Sequence, residues 1–189
     1  MQASRYTKNE REWALKLARQ AIIDHPEKPS PEDTPECFEE KKGVFVTLSL
    51  HERLRGSMGY LTPDFTIKEG IIDCAQLAAY EDPRFQALEK DMIEETEIEI
   101  SVLELPKRLE YTGTDELLSQ LSRDQGVIIS LGERRATYLP QVWDSIPDKK
   151  EFLANLCLKA GLPPSTWRQP GLEVMTYTVE KIDNRETAR

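Results

Sequence analysis

Residues 44–61 read VFVTLSLHERLRGSMGYL, and this stretch decides the fold. Every second residue of its first half, 44–50, is Val or Leu, which is the pattern of a strand with one buried face. A short polar connection, 51–53, leads into a second extended run at 54–61. We therefore predict a β-hairpin, although its connection lacks the Asn and Gly residues that form tight hairpin turns most readily.

Helical patterns lie on both sides of this hairpin. Capping boxes, in which a Thr is followed three residues later by a Glu, occur at Thr7 with Glu10 and at Thr66 with Glu69. Apolar residues at helical spacing follow each box. Asp148 precedes a third such pattern and can accept the free backbone N–H groups of its first turn. These signals predict three amphipathic helices.

Further strands follow the second helix. Residues 97–103 alternate apolar and polar side chains, and the runs 127–131 and 134–139 are joined by Gly132 and Glu133. Gly supplies the positive φ of a tight type II′ turn, so these runs predict a second hairpin. The pattern of 172–182 predicts one long final strand. Hairpin-joined strands with interspersed helices indicate an α+β fold, with a mainly antiparallel sheet on which helices pack.

The length of 189 residues fits one domain, in this case with two lobes. We expect residues 1–189 to form that single domain. Four prolines and many acids in 24–42 disfavour regular structure and predict a long surface loop. The polar residues 183–189 predict a frayed tail.

Composition excludes several classes of protein. A formal net charge of −9 disfavours nucleic-acid binding, because affinity for phosphate backbones comes from clustered Lys and Arg. The sequence contains no apolar run of the roughly 20 residues that span a bilayer, and the segment 1–12 is polar where a signal peptide is apolar. We therefore expect no nucleic-acid partner, no membrane partner and a cytoplasmic location.

The three cysteines, Cys37, Cys74 and Cys157, form no CxxC pair, and their odd number fits a reducing compartment. With only His25 and His51 besides, no close pair of zinc ligands occurs, so we predict no metal site, while a carboxylate-only cation site stays open. There is no Gly-rich phosphate loop, and we predict no cofactor.

Leu54-Arg55-Gly56-Ser57-Met58-Gly59 is the segment of greatest chemical interest, because two glycines inside a strand normally mark a bulge or a close approach. Together with Asp82-Pro83-Arg84-Phe85, Leu139-Pro140-Gln141-Val142 and residues 156–162, it resembles the AMMECR1 domain family. The resemblance covers residues 8–182.

This resemblance implies an α+β fold with a larger and a smaller lobe around a cleft. In microbes the family resembles protein A of the AmmeMemoRadiSam system, which implies a Memo-like protein and a radical S-adenosylmethionine enzyme as partners. The family has no established activity. Its hallmark is Leu-Arg-Gly-Cys-Ile-Gly, and Ser57 stands here in place of the family Cys, with Met58 in place of Ile.

Ser57 is the candidate catalytic residue. The candidate ligand-binding residues are Arg55, Gly56, Ser57, Gly59, Asp82, Arg84, Tyr138 and Gln141. Each has a structural alternative: a β-bulge or backbone contact for the glycines, ion pairing or capping for the charged residues, and the end of an edge strand for the pair beside Pro140. A Ser hydroxyl needs an adjacent base to act as a nucleophile. We therefore expect Ser57, in place of the family Cys, to retain a hydrogen-bonding role more readily than a role in covalent catalysis.

Three functions remain open from the sequence. The leading hypothesis is an accessory component that binds a small polar or anionic ligand, or a partner's peptide, through Arg55 and Ser57. The second is an enzyme, a hydrolase or group transferase that uses Ser57. The third is a scaffold without a ligand site, which requires a large apolar surface patch.

Overall fold

Five α-helices and eight strands form within residues 5–183, the part of the chain that the computed structural model describes. The helices are α1 (Lys8–Asp24), α2 (Ile67–Gln76), α3 (Thr114–Gln120), α4 (Val142–Ser145) and α5 (Lys149–Lys159). The strands are β1 (Gly43–Leu50), β2 (Arg53–Tyr60), β3 (Glu97–Leu103), β4 (Lys107–Arg108), β5 (Gly126–Leu131), β6 (Arg134–Tyr138), β7 (Glu173–Tyr177) and β8 (Val179–Asp183). A π-helical turn, Leu77–Glu81, continues directly from α2.

The strands form two four-stranded sheets, with the orders β2-β1-β3-β8 and β4-β7-β5-β6. The described chain divides into two compact units, of which the first comprises residues 5–103 with 180–183 and the second is Glu104–Val179. The first unit holds the first sheet and the second unit holds the second sheet. The strands pair antiparallel in β1–β2, β1–β3, β4–β7, β5–β6 and β5–β7. The predicted α+β fold with antiparallel sheets is therefore confirmed.

In the first unit, α1 and α2 pack on one face of the first sheet. The apolar positions of β1, Val44, Val46 and Leu48, are fully buried in this layer, as their alternation predicts. Both capping boxes are present at the helix N-termini: the Thr7 and Thr66 hydroxyls each accept the backbone N–H three residues on. The core of this unit thus joins two amphipathic helices to the hairpin β1–β2.

In the second unit, the predicted hairpin β5–β6 is confirmed, with Leu131 paired to Arg134. Gly132 has φ +60°, as a tight turn at this place requires. Asp148 caps α5 through its carboxylate, which accepts two backbone N–H groups. The core contains Phe152 of α5, whose ring stacks on Trp143 with centroids 3.5 Å apart.

The final strand differs from its prediction. Instead of one strand over 172–182, the chain forms β7 and β8, which end and begin on either side of Thr178 and belong to different sheets. Apolar residues occur in both segments, with Val174 buried in β7 and Ile182 buried in β8. The pattern therefore does not mark where the pairing partner changes.

The segment between α1 and β1 contains one short 3₁₀ turn, Glu36–Phe38, and a single bridge from Lys41 to Thr66. Phe38 is fully buried and stacks on Trp13 at 5.0 Å, so this part of the predicted loop 24–42 is fixed to the core. Of the predicted tail, only Asp183 is described, as the last residue of β8; the rest lies outside the described residues.

Candidate functional site

The hairpin β1–β2 turns through His51 and Glu52 and contains a bulge at Arg55. Ser49 pairs with Leu54 and Leu48 pairs with Gly56, which leaves Arg55 without a partner on β1. A bulge bends the strand and redirects the side chain that it carries. β2 is also an edge strand, since β1 is its only neighbour among the described strands of the sheet. The regular register between β1 and β2 is thus interrupted within the motif Leu54–Gly59.

Both glycines of the motif meet close neighbours. A Cβ atom on Gly56 would lie 1.9 Å from the carbonyl oxygen of Ala78, in the π-helical turn. A Cβ atom on Gly59 would lie 2.2 Å from the ring of Phe45, its partner on β1. Both contacts fit a structural explanation of these glycines, in which the absence of a side chain leaves room for a neighbouring backbone or ring.

Asp82 and Arg84 satisfy the backbone of Ser57 at the edge of the sheet. The Ser57 N–H donates to Asp82 Oδ2 over 2.9 Å, and Arg84 Nη2 donates to the Ser57 carbonyl over 3.1 Å. Two side chains therefore replace the neighbouring strand that an edge strand lacks. The predicted residues Ser57, Asp82 and Arg84 are brought together in one cluster.

The Asp82–Arg84 pair is held by several hydrogen bonds. Arg84 donates from Nε to Oδ1 over 2.9 Å and from Nη2 to Oδ2 over 2.7 Å, a bidentate arrangement. These hydrogen bonds from Arg84, helped by the Ser57 N–H, lower the pKa of Asp82 to about 2. The Asp82 side chain is 1% exposed, whereas that of Arg84 is 55% exposed. Asp82 is thus a buried anchor that is ionised at neutral pH, and Arg84 presents its outer face to solvent.

The hydroxyl of Ser57 bonds to Thr47 Oγ1 over 2.9 Å, across the strand pair β1–β2. No described residue places a basic nitrogen or carboxylate on this hydroxyl. His51 is at the hairpin turn, where its 75%-exposed side chain lies 3.3 Å from Glu95. A Ser without a general base is a poor nucleophile, so the geometry provides a hydrogen-bonding group at Ser57.

Arg55 makes one long hydrogen bond, from Nη2 to the carbonyl oxygen of Ala87 over 3.4 Å. Among the described residues it forms no ion pair. Its side chain is partly exposed. Arg55 therefore donates from β2 to the segment 82–87, and Arg84 donates from that segment to β2. The charge of Arg55 is left without a carboxylate.

Tyr138 and Gln141 lie in the second unit. The Tyr138 ring packs edge-on against Phe152 at 5.3 Å, and Lys159 Nζ lies 5.0 Å from its centroid. Gln141 is the residue that precedes α4, and its carbonyl accepts the Asp144 N–H. Their described contacts are those of a strand end and a helix start, so their place in a ligand site stays a prediction.

A family model for AMMECR1 matches residues 15–182 of the chain. The chain belongs to the AMMECR1 family. It is 37% identical to "Protein MK0488" of Methanopyrus kandleri, over 95% of this chain and 91% of that protein. It is also 37% identical to "Protein TK0174" of Thermococcus kodakarensis, over 89% of this chain and 87% of that protein.

The same relationship is evident in three dimensions. The crystal structure of the uncharacterized protein PH0010 from Pyrococcus horikoshii matches with a TM-score of 0.86 and 33% sequence identity. The match covers 93% of this chain and 91% of that one. The AMMECR1 family is thus shown both by sequence and by fold, while these relatives' names state no activity.

Within this AMMECR1 protein, sequence reasoning missed two partners of the motif. Thr47, which binds the Ser57 hydroxyl, lies on the polar face of β1, and the alternation of 44–50 indicates that face. Ala78, which covers Gly56, had no sequence signal beyond the glycine itself. Its position depends on how the π-helical turn lies against β2.

Three cavities lie elsewhere in the described residues. One of about 410 Å³ is in the second unit near Tyr111 and Trp167, and two of about 180 and 620 Å³ are in the first unit near Arg19 and Tyr80 respectively. Over residues 5–183, no group of three or more His, Cys, Asp or Glu could hold a metal ion. No helix in that range is long and apolar enough to cross a membrane.

Proposed function

We propose that this AMMECR1 protein is an accessory component that binds a small polar or anionic ligand at the motif Leu54–Gly59. Arg55 supplies the charge, the outer face of Arg84 adds a second guanidinium, and the Ser57 hydroxyl supplies a hydrogen bond. The observation that supports this most is the partly exposed Arg55 without an ion pair among the described residues, in a chain with 34 acidic and 25 basic residues.

Other described arginines, such as Arg53, also have no carboxylate partner, and Arg55 differs from them in its place at the bulge of β2, next to the cluster of Ser57, Asp82 and Arg84. Guanidinium groups bind carboxylates and phosphates through paired N–H donors, and a fixed guanidinium loses less entropy on binding than a free one. Asp82 fixes Arg84 in this way while neutralising part of its charge. Arg55 is left as the stronger attractor for an incoming anion.

Binding is favoured over covalent catalysis by the surroundings of Ser57. Its hydroxyl contacts Thr47, which is not a base, and the adjacent Asp82 is bonded to the Ser57 backbone rather than to the hydroxyl. With a pKa of about 2, Asp82 has no proton to exchange near neutral pH. A hydrolase or transferase using Ser57 would have to obtain its base from the substrate or a partner.

The test is a thermal-shift screen with inorganic phosphate, pyrophosphate and citrate. A ligand at about 100 times its Kd stabilises the native state by roughly 2.7 kcal/mol, which raises Tm by several degrees. We expect Arg55→Ala to abolish the rise and to leave the Tm without ligand nearly unchanged. Arg53→Ala is the matched control, because Arg53 is an exposed arginine on the same strand.

An equal rise in the wild type, Arg55→Ala and Arg53→Ala would count against the site. A scaffold without a ligand site predicts no rise with any of the three anions. Retained turnover in Ser57→Ala, should any reaction be found, would remove Ser57 as a nucleophile.

A partner's peptide could present the same chemistry through a carboxylate. We extend the proposal to the family-implied partners, a Memo-like protein and a radical S-adenosylmethionine enzyme, in a cytoplasm that keeps Cys37, Cys74 and Cys157 reduced. Co-purification of the Memo-like protein with the wild type, but not with Arg55→Ala, is the expected result. Equal recovery with both would place any contact elsewhere.

A further inference from the structure

The cavity of about 620 Å³ in the first unit adjoins the candidate site along the chain, since Leu88 follows Ala87 and Tyr80 lies two residues before Asp82, but its lining has a different chemistry. It is bordered by the C-terminal end of α1, by Tyr80 of the π-helical turn and by the segment 88–94. Its volume is within the range of small-molecule sites, roughly 300–1,000 Å³.

Hydrogen bonds hold the walls of this cavity in place. The Tyr80 hydroxyl donates to the Ile22 carbonyl over 2.8 Å, which ties the π-helical turn to α1. The Leu88 N–H donates to the Ala79 carbonyl over 2.8 Å, and the guanidinium of Arg19 binds the carbonyl of Ile93. The cavity is therefore preorganised, which reduces the entropy lost when a ligand binds.

The lining is apolar and aromatic. Leu88 and Ile93 contribute buried side chains, and Ile23 is 48% exposed although it is a large aliphatic residue. The rings of His25 and Tyr80 lie with centroids 4.2 Å apart and their planes tilted by 30°. Covering Ile23 and the aromatic pair with an apolar group would remove hydrophobic surface from water.

The charges around the cavity are mainly negative. Glu89 and Glu94 line it and are exposed, and their carboxylates form no ion pair or hydrogen bond with any described residue. Lys90 is the cationic side chain among the lining residues, and the Arg19 guanidinium lies beside them at the Ile93 carbonyl. The carbonyl end of α1, a helix with no basic residue in its last turn, adds partial negative charge.

Aromatic faces attract cations as well. We propose that this cavity binds an organic cation, namely a protonated amine attached to an apolar, aromatic body. The body lies against Ile23 and the Tyr80 ring, and the ammonium faces Glu89, Glu94 and the end of α1. None of the lining residues belongs to the motif Leu54–Gly59, so this proposal does not rest on the anion site at Arg55.

The test is isothermal titration at pH 7.5 and low ionic strength with three indoles of similar size. Tryptamine carries an ammonium, indole-3-ethanol is neutral, and indole-3-propionate carries a carboxylate. We expect tryptamine to bind at least threefold more tightly than the alcohol, and the carboxylate to bind most weakly. Equal affinity for all three, or no heat with tryptamine up to millimolar concentration, would overturn the proposal.

Variants locate the site. Glu89→Gln combined with Glu94→Gln should weaken tryptamine binding three- to tenfold, and Lys90→Gln should strengthen it about twofold, as expected for exposed charges. Glu133→Gln, at the turn of β5–β6, is the control for general loss of negative charge and should leave the affinity unchanged.

These substitutions are at exposed positions, so each protein should keep its melting temperature without ligand. An effect of Glu133→Gln half as large as that of the paired glutamates, which is the same effect per charge removed, would show that tryptamine binds by net charge alone. A weakening by Lys90→Gln would contradict an ammonium placed among these charges, and either result would refute the site.

Discussion

The carbonyl oxygen of Ala78 occupies the space that a side chain on Gly56 would need, 1.9 Å from the position of its Cβ atom. Ala78 lies in the π-helical turn that follows α2, and such turns are frequent at functional sites. The same turn carries Tyr80, and it ends beside Asp82, which binds the Ser57 backbone. One irregular turn therefore positions the centre of the motif.

Replacing Gly56 by Ala should destabilise the protein strongly, because the obstructing atom belongs to the backbone and cannot rotate away. We expect a loss of about 3 kcal/mol or more in the free energy of unfolding, at the upper end of overpacking substitutions. Urea denaturation followed by circular dichroism measures it. Gly113→Ala is the control, since a Cβ atom there meets nothing within 4 Å, and it should cost about 1 kcal/mol or less.

Asp82→Asn should destabilise the native state at neutral pH. The carboxylate accepts hydrogen bonds from the Ser57 N–H and the Arg84 guanidinium while its side chain is 1% exposed, and an amide cannot accept them all. We expect a loss of about 2–3 kcal/mol at pH 7, which urea denaturation of both proteins would measure. A change below about 0.5 kcal/mol would contradict the role of Asp82 as an anchor.

The stability difference between the wild type and Asp82→Asn should also depend on pH. The pKa of Asp82 is about 2 in the native state, below its ordinary value of 3.8, so the carboxylate stabilises the fold fully above about pH 4. This contribution falls as the pH drops from 4 towards 2 and is lost below that. The difference measured at pH 6 should therefore be larger than the difference at pH 3. A constant difference over this interval would refute the lowered pKa.

The turn of the first hairpin can be improved. His51 and Glu52 have φ values of 50° and 64°, which non-glycine residues rarely adopt. Asn-Gly suits such a turn, so His51→Asn with Glu52→Gly should stabilise the protein by about 1 kcal/mol. Chemical denaturation measures the gain, and Glu95→Gln alone reports the small loss from the exposed His51–Glu95 pair. A net loss larger than that of Glu95→Gln would contradict the expectation.

Local patterns predicted the elements around the site well. The alternation of 44–50, the capping boxes at Thr7 and Thr66, and the turn at Gly132 each depend on residues within one element. These signals depend only on neighbours in the chain, so they predict the same local structure in any tertiary fold.

Long-range relationships were less predictable. The glycines of 54–59 indicated a bulge or close contact, but that Arg55 is the bulged residue depends on the register with β1. The Asp82–Ser57 hydrogen bond joins residues 25 apart, and the division of 172–182 depends on two different sheets. Such pairings are set by packing, which a single sequence does not display.

The three thiols should react slowly in the native protein. Burial raises the pKa of Cys74 to about 12, and burial together with the hydrogen bond to Glu10 raises that of Cys37 to about 11. Burial also raises the pKa of Cys157. At pH 8 only about one Cys37 in a thousand is therefore a thiolate, and the thiolate is the form that reacts.

Ellman's reagent at pH 8 would measure this reactivity. We expect three thiols per chain in 6 M guanidinium chloride and slow reaction without denaturant, beginning at the half-buried Cys37. Cys37→Ser should remove that first phase and leave Cys74 and Cys157 to react on the timescale of unfolding. Rapid labelling of any native thiol would reveal a reactive cysteine outside the motif. It would then reopen covalent chemistry in a chain whose motif carries Ser57 instead.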